Sequence, residues 1–106
     1  MSELPAPVAA ALAAANAHDT DAFLATFTPD GVVDDWGREF RGADAIRAWS
    51  DREFIGVDVT LDVTGSTSDG GATTVAADVG GRGFNGPSHF TFELDGDQVV
   101  RMSIRA

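Results

Sequence analysis

The chain has no cysteine, no tyrosine and no lysine, and its seven basic residues are all arginine. Without cysteine there is no disulfide, no thiolate metal ligand and no cysteine nucleophile. That absence is compatible with the cytosol, and a cytoplasmic location is the expectation. No stretch approaches the roughly 20 consecutive apolar residues that a membrane-spanning helix needs. Glu3, Pro5 and Pro7 stand where a secretory signal would carry basic residues and an apolar run, so no such signal is expected. Positive charge is scarce as well: 17 acidic residues against 7 basic ones give a net charge of −10. Such a chain repels phosphate backbones and anionic lipid, which excludes nucleic acid and membrane surfaces as expected partners. The two histidines, His18 and His89, lie far apart without clustered carboxylates, so neither a metal nor another cofactor is expected. No glycine-rich phosphate loop is visible, and Ser88 beside His89 is adjacency in sequence rather than a catalytic triad.

What is present reads as one folded domain over residues 1–106, with 43% hydrophobic residues. The abundance of Ala, Gly, Asp, Arg and Val is what GC-rich codons encode, and this accounts for the acidity better than salt adaptation does. Leu4, Val8 and Leu12 recur at steps of four through an alanine-rich segment, predicting a helix from about Pro5–Pro7 to Ala17. The prolines belong to its first turn, since neither fits a helix interior. Asp19 or Thr20 can cap a second helix, which carries Phe23, Leu24 and Phe27 on one side. Pro29 and Asp30-Gly31 end it. Residues 32–36 (Val-Val-Asp-Asp-Trp) read as a short strand, and residues 37–41 as a tight connection or a two-stranded hairpin plugged by Phe40. A third helix then runs from Gly42 to Ile55, with Ile46, Trp49 and Glu53 three or four apart and Gly56 as its stop.

From Val57 the period changes from 3.6 to 2. Val57, Val59, Leu61 and Val63 alternate with polar residues, as in a half-buried strand. Turns at 68–71 and 95–97 and a loose glycine-rich segment at 80–87 separate further strands at 72–80, 88–94 and 98–105. Short turns between consecutive strands predict an antiparallel meander. The class is therefore α+β, three N-terminal helices against a curved, mostly antiparallel sheet.

Five segments together resemble the NTF2-like superfamily, in particular its SnoaL-like polyketide cyclases and ketosteroid isomerases. They are N-A-H-D-T-D-A-F at 16–23, D-G-V-V-D-D at 30–35, R-G-A-D-A-I-R-A-W at 41–49, S-H-F-T-F at 88–92 and D-Q-V-V-R-M at 97–102. The resemblance spans residues 6–105. It implies a cone in which the sheet and helices enclose a deep apolar pocket, a small hydrophobic molecule as ligand, and a homodimer paired through the sheet.

Carried over by position, Asp35 falls where ketosteroid isomerases keep their general-base aspartate. Ser88 falls where they keep a protonated aspartate that donates to the oxyanion, and Ala11 where they keep a tyrosine, so both donors of that pair are absent here. Strand alternation sends Asp34 and Asp35 to opposite faces, with Asp35 beside Val33. Asp35 is either a solvated strand end or a buried base whose pKa burial would raise. For Asp78 two lines of reasoning conflict. The hydrophobic pattern buries Val75, Ala77 and Val79 and leaves Asp78 outside, whereas the resemblance turns Thr74, Ala76 and Asp78 inward, where Asp78 could share acid and base roles with Asp35. Trp49, Phe54, Phe90 and Met102 are expected to line the pocket, with Phe23 and Phe27 in the core. Trp36 is expected over the pocket mouth or at a dimer edge. His89, out of phase with Ser88, Phe90 and Phe92, is expected outside, and His18 in a helix–helix turn. Arg101 and Arg105 are expected outside with acidic partners.

Two functions follow as expectations. One is cofactor-free isomerisation, cyclisation or dehydration next to a carbonyl, with Asp35 as base and Ser88 or Asp78 as hydrogen-bond donor. The other is a ligand-binding or dimerising module of the same fold without catalysis.

Overall fold

In the computed structural model, which describes residues 4–106, Leu4 to Asn16 enters the fold as the sequence pattern requires. Glu3, used above in reading the N-terminus, lies outside the described residues. Helix α1 (Ala6–Asn16) has Pro7 in its first turn and buries Val8, Ala11, Leu12, Ala14 and Ala15. Alanines on that face let it lie close to the sheet. At its C-terminal end the Asn16 amide imitates a strand: Nδ2 donates to the Leu61 carbonyl at 3.0 Å, and Oδ1 accepts from the Leu61 N–H at 2.7 Å. His18 then takes a left-handed backbone (φ 56°), and its Nε2–H donates to the Val59 carbonyl at 2.9 Å. Helix α2 (Thr20–Ala25) is capped by Asp19, whose Oδ1 accepts from the Ala22 N–H.

Strand β1 (Phe27–Asp35) begins five residues before the expected strand, and this corrects the assignment of Phe27 to a helix. Phe27 pairs with Val99 and Val32 with Arg101, so Thr28–Gly31 bulge out of the ladder. Pro29 has no N–H to give a ladder, and Gly31 packs on the Phe27 ring, 2.9 Å from where a Cβ would sit. Trp36 leaves the expected strand as well. Trp36 and Gly37 (φ 55° and 89°) form the two-residue turn that joins β1 to β2 (Arg38–Arg41). Positive φ at both central residues matches the right-handed twist of a hairpin.

Gly42 leads into helix α3 (Ala43–Glu53), which buries Ile46, Trp49 and Ser50. A 3₁₀ turn at Ile55–Val57 follows, so Val57 does not start the next strand. Gly56 permits this turn, because a Cβ there would come within 1.8 Å of the Asp51 carbonyl oxygen. The four remaining strands are β3 (Thr60–Asp69), β4 (Ala72–Gly80), β5 (Gly86–Asp95) and β6 (Gln98–Arg105). A bulge between Val63 and Gly65 shifts the register of β3, and Val63 is exposed instead of buried.

The six strands form one curved sheet in the order β2-β1-β6-β5-β4-β3. Only β1–β6 is parallel; every other pair is antiparallel. The helices cover the concave face, and the core between them includes Val8, Leu12, Phe23, Val33, Trp49, Phe90, Phe92 and Met102. No described helix is long and apolar enough to cross a membrane.

On the convex face, Asp34 is the one buried carboxylate of the sheet, 6% exposed. Arg101 donates to its Oδ2 at 2.7 Å, Arg105 donates to both oxygens at 3.2 Å, and the Gly37 N–H donates to Oδ1 at 2.7 Å. Arg101 also pairs with Glu39, so β1, β2 and β6 are tied together ionically. The Arg105 guanidinium, helped by the Gly37 amide and Arg101 against the cost of burial, holds the Asp34 carboxyl down at about 2. A depressed pKa in the folded state stabilises the fold above the ordinary carboxylate value and is lost as pH falls through the folded one. Acid titration of the folded protein should therefore remove about 2 kcal/mol of stability between roughly pH 4 and pH 2. Asp34→Asn should lose a similar amount at pH 7 and flatten that acid limb, as measured by urea unfolding across the range.

Candidate functional site

Between α3 and the concave face lies a cavity of about 290 Å³. That is near the lower end of small-molecule sites, which run from about 300 to 1,000 Å³. Its inner wall is aromatic. Trp49 stacks on Phe54 with ring centroids 4.9 Å apart, and Phe54 approaches Phe90 at 6.4 Å; Phe40, outside the lining, tilts against Trp49 at 6.1 Å. Val57, Val59, Val79 and Ile104 complete the apolar lining. α3 supplies Trp49 because Ile46, Trp49 and Ser50 fall on its buried stripe, and the Gly56 turn then brings Phe54 and Val57 around the end.

Two polar groups interrupt this lining. Asp35, the last residue of β1, faces the cavity because Asp34 takes the opposite face. Its Oδ2 accepts from the Trp49 Nε1–H at 3.1 Å and from Arg38 at 2.5 Å. Among the described residues no hydrogen bond falls on Oδ1. Ser88, 3% exposed, is the second group, and no hydrogen bond from the described residues holds its hydroxyl. Asp35 pairs across to Ile104 and Ile104 to Phe90, two residues from Ser88. Strand spacing then separates Asp35 and Ser88 by about 12 Å along the sheet, Cα to Cα.

The rim is charged. Arg38 bridges Asp35 and Glu53 (2.7 and 3.1 Å to its two oxygens) and lies 5.6 Å from the Phe40 ring centre. The Arg38 guanidinium lowers the Glu53 carboxyl below its usual range against a smaller opposing cost of burial. Arg52 also lines the cavity. At the mouth stand Trp36 on the β1–β2 turn and Phe84 on the loop between β4 and β5, both more than half exposed.

The sequence-predicted residues divide accordingly. Asp35, Ser88, Trp49, Phe54 and Phe90 share the cavity wall, and Trp36 stands at its mouth. Asp78 does not join them. β4 turns Val75 and Ala77 inward, Val79 reaches the cavity, and Asp78 is exposed on the convex face opposite Asp62. The hydrophobic pattern of β4 thus prevails over the positional resemblance. Met102 is also outside the lining. It sits one row deeper, paired with Val33 and Phe92 where α1 closes on β6, and is core. His89 is exposed, as its phase on β5 predicts.

Sequence reasoning missed Arg38, Glu53 and Phe84. Arg38 follows Asp35 by three residues across a hairpin, a spacing that could have been noticed. Phe84, a lone aromatic among glycines, was a second available signal. Among the described residues no cluster of three or more His, Cys, Asp or Glu could hold a metal ion.

The SnoaL-like domain family model matches residues 8–102. No curated protein matches the chain. Among solved structures, a Sinorhizobium meliloti protein provisionally assigned as a polyketide cyclase is 31% identical, with a TM-score of 0.85 over 96% of this chain and 95% of that one. A Catenulispora acidiphila protein with a ketosteroid isomerase-like fold, in complex with trimethylamine, is 22% identical (TM-score 0.83; 98% and 87% covered). A computationally designed 17-OHP binder is 17% identical (TM-score 0.80; 99% and 92% covered). The last two likenesses concern the fold.

The rim bridge makes its own prediction. Arg38→Gln should raise the Glu53 pKa back toward the ordinary glutamate value, read by NMR titration of the side-chain carboxyl; an unmoved Glu53 would refute the bridge.

Proposed function

Because this chain belongs to the SnoaL-like domain family, we propose that its cavity takes a small, largely apolar carbonyl compound and moves a proton beside the carbonyl without a cofactor. The observation that carries this reading is Asp35 at the wall of an aromatic cavity, with Oδ2 anchored and Oδ1 left unengaged. Oδ1 takes a proton from the carbon next to the carbonyl, and the C–H electron pair moves into an enolate. The Ser88 hydroxyl, free of partners among the described residues, donates to the enolate oxygen. Asp35 returns its proton to a conjugated carbon, which completes isomerisation, or exchanges it with solvent and returns a solvent proton to the original carbon, which completes exchange; attack of the enolate on a second carbonyl of the ligand would instead form a ring, with Asp35 giving its proton to the resulting alkoxide. Trp49 and Arg38 fix the orientation of the carboxylate, which keeps its free oxygen aimed at the ligand.

A second reading has its own support. Arg38 forms an ion pair with the very carboxylate that would act as base, and a carboxylate so engaged also suits binding without turnover. The two readings separate in one experiment. Wild-type protein incubated with cyclic and aryl ketones in D₂O should speed deuterium entry next to the carbonyl, read by mass spectrometry. Asp35→Asn should lower that rate by about 10²-fold or more while leaving the melting temperature and ketone affinity nearly unchanged. Ser88→Ala should lower it by about 10²-fold. Ketone binding without exchange in the wild type selects the binding module, and full exchange in Asp35→Asn removes Asp35 as the base.

For assembly, we infer a homodimer paired through the convex sheet face. Arg101 and Arg105 lie there among Asp34, Glu39 and Glu93, and charges of both signs on one face can match their own copy across a two-fold axis.

A further inference from the structure

Two large aromatic side chains flank the cavity mouth in water. Trp36 is 57% exposed and Phe84 is 55% exposed, and both line the cavity. Exposed single apolar residues are ordinary on protein surfaces, but neither of these is loose. Trp36 has φ 55°, a left-handed backbone that side chains larger than glycine adopt at a cost. The turn holds it there: its own N–H donates to the Ile104 carbonyl at 3.3 Å, and the next N–H, from Gly37, donates to Asp34 at 2.7 Å.

Phe84 is presented in a comparable way. Arg82, two residues before it, donates three times to the 3₁₀ turn region: through its N–H to Val57 (2.8 Å), through Nε to Asp58 (2.7 Å) and through its guanidinium to the Gly56 carbonyl (2.9 Å). On the other side the Asn85 amide donates to the Gly81 and Gly83 carbonyls. Gly86 lies under the ring, 3.4 Å from where its Cβ would be. The backbone is thus fixed at both positions while the rings face solvent, the reverse of how apolar side chains are normally stabilised. A strained tryptophan kept at a site where glycine would be easier indicates a role beyond folding.

We propose that Trp36 and Phe84 form an aromatic clamp for the part of the ligand that projects from the cavity, and that this part is a flat, conjugated ring. The clamp deepens the carbonyl reading above, because it assigns the class of compound whose reactive end reaches Asp35. A cavity of about 290 Å³ receives one end of such a molecule, and the mouth rings take the next ring by offset or edge contact. Saturated, puckered rings of equal bulk gain less from such contacts, so the clamp selects by flatness.

The test uses 2-acetylnaphthalene as the flat ketone, acetyldecalin as its saturated counterpart and 2-ethylnaphthalene as a flat probe without a carbonyl, each titrated by calorimetry. Trp36→Ala and Phe84→Ala should each weaken both naphthalene probes about tenfold and leave the saturated ketone within about twofold. Trp36→Gly should lose the same discrimination while melting at or above the wild-type temperature. Equal losses for flat and saturated ketones, no loss, or a wild type that binds neither naphthalene would overturn the clamp. So would a marked fall in melting temperature for Trp36→Gly, or a wild-type dimer that Trp36→Ala turns into a monomer. The carbonyl reading fails separately: 2-ethylnaphthalene would still bind in a Trp36-dependent manner while no ketone exchanged deuterium.

Discussion

Two successive carboxylates on a strand cannot point the same way, and this alternation along β1 governs the rest of the molecule. Asp34 turns to the convex face, where Arg101, Arg105 and the Gly37 amide satisfy it and fix β1 against β6. Asp35 is thereby committed to the concave face, at the edge of the aromatic wall. Had the register slipped by one residue, the anchor would lie in the cavity and the candidate base in solvent. The ionic tie outside and the candidate chemistry inside are two consequences of a single register.

The cavity exists because α3 and the turn after it bring aromatic rings near the sheet without filling the space between them. Trp49 stacks on Phe54, and Phe54 tilts toward Phe90, along one side. Gly56 admits the close approach of the 3₁₀ turn to α3, and Arg38 ties the β1–β2 hairpin to the end of that helix through Glu53. In a protein with a net charge of −10, most arginines serve such internal ties: Arg38, Arg47, Arg82, Arg101 and Arg105 all engage carboxylates. The ties at Arg38 and Arg82 converge on the rim and hold it in shape.

Where the pattern was strong, the sequence foretold the structure. The alanine-rich stripe of α1, the alternation in β4 and β5 and the turns at 68–71 and 95–97 are local features, and local features survive in one dimension. The start of β1 was hidden because Phe27 continues the apolar spacing of α2, while its real partner, Val99, lies more than 70 residues away. Trp36 looked like a strand residue because tryptophan favours strands, although the hairpin needed positive φ there. Asp78 was drawn inward by positional likeness, but burying a lone carboxylate would have displaced Val75, Ala77 and Val79 from the core side, and apolar burial decided the face. The partnership of Arg38 with Glu53 spans a turn and a helix, and no periodicity encodes it.

The parallel pairing of β1 with β6 has a consequence for how the chain reaches this state. β6 is the only link between the β1–β2 hairpin and the β5-β4-β3 meander within the sheet. A nascent chain can form the β1–β2 hairpin and the meander's hairpins as they emerge, but the outer edge of β1 waits unpaired until residues 99–105 have left the ribosome. Contacts between residues so distant in sequence close slowly, so folding completes late, with the zipping-in of this last strand. Loss of β6 would do more than fray an end: it would divide the sheet into two pieces with no shared ladder.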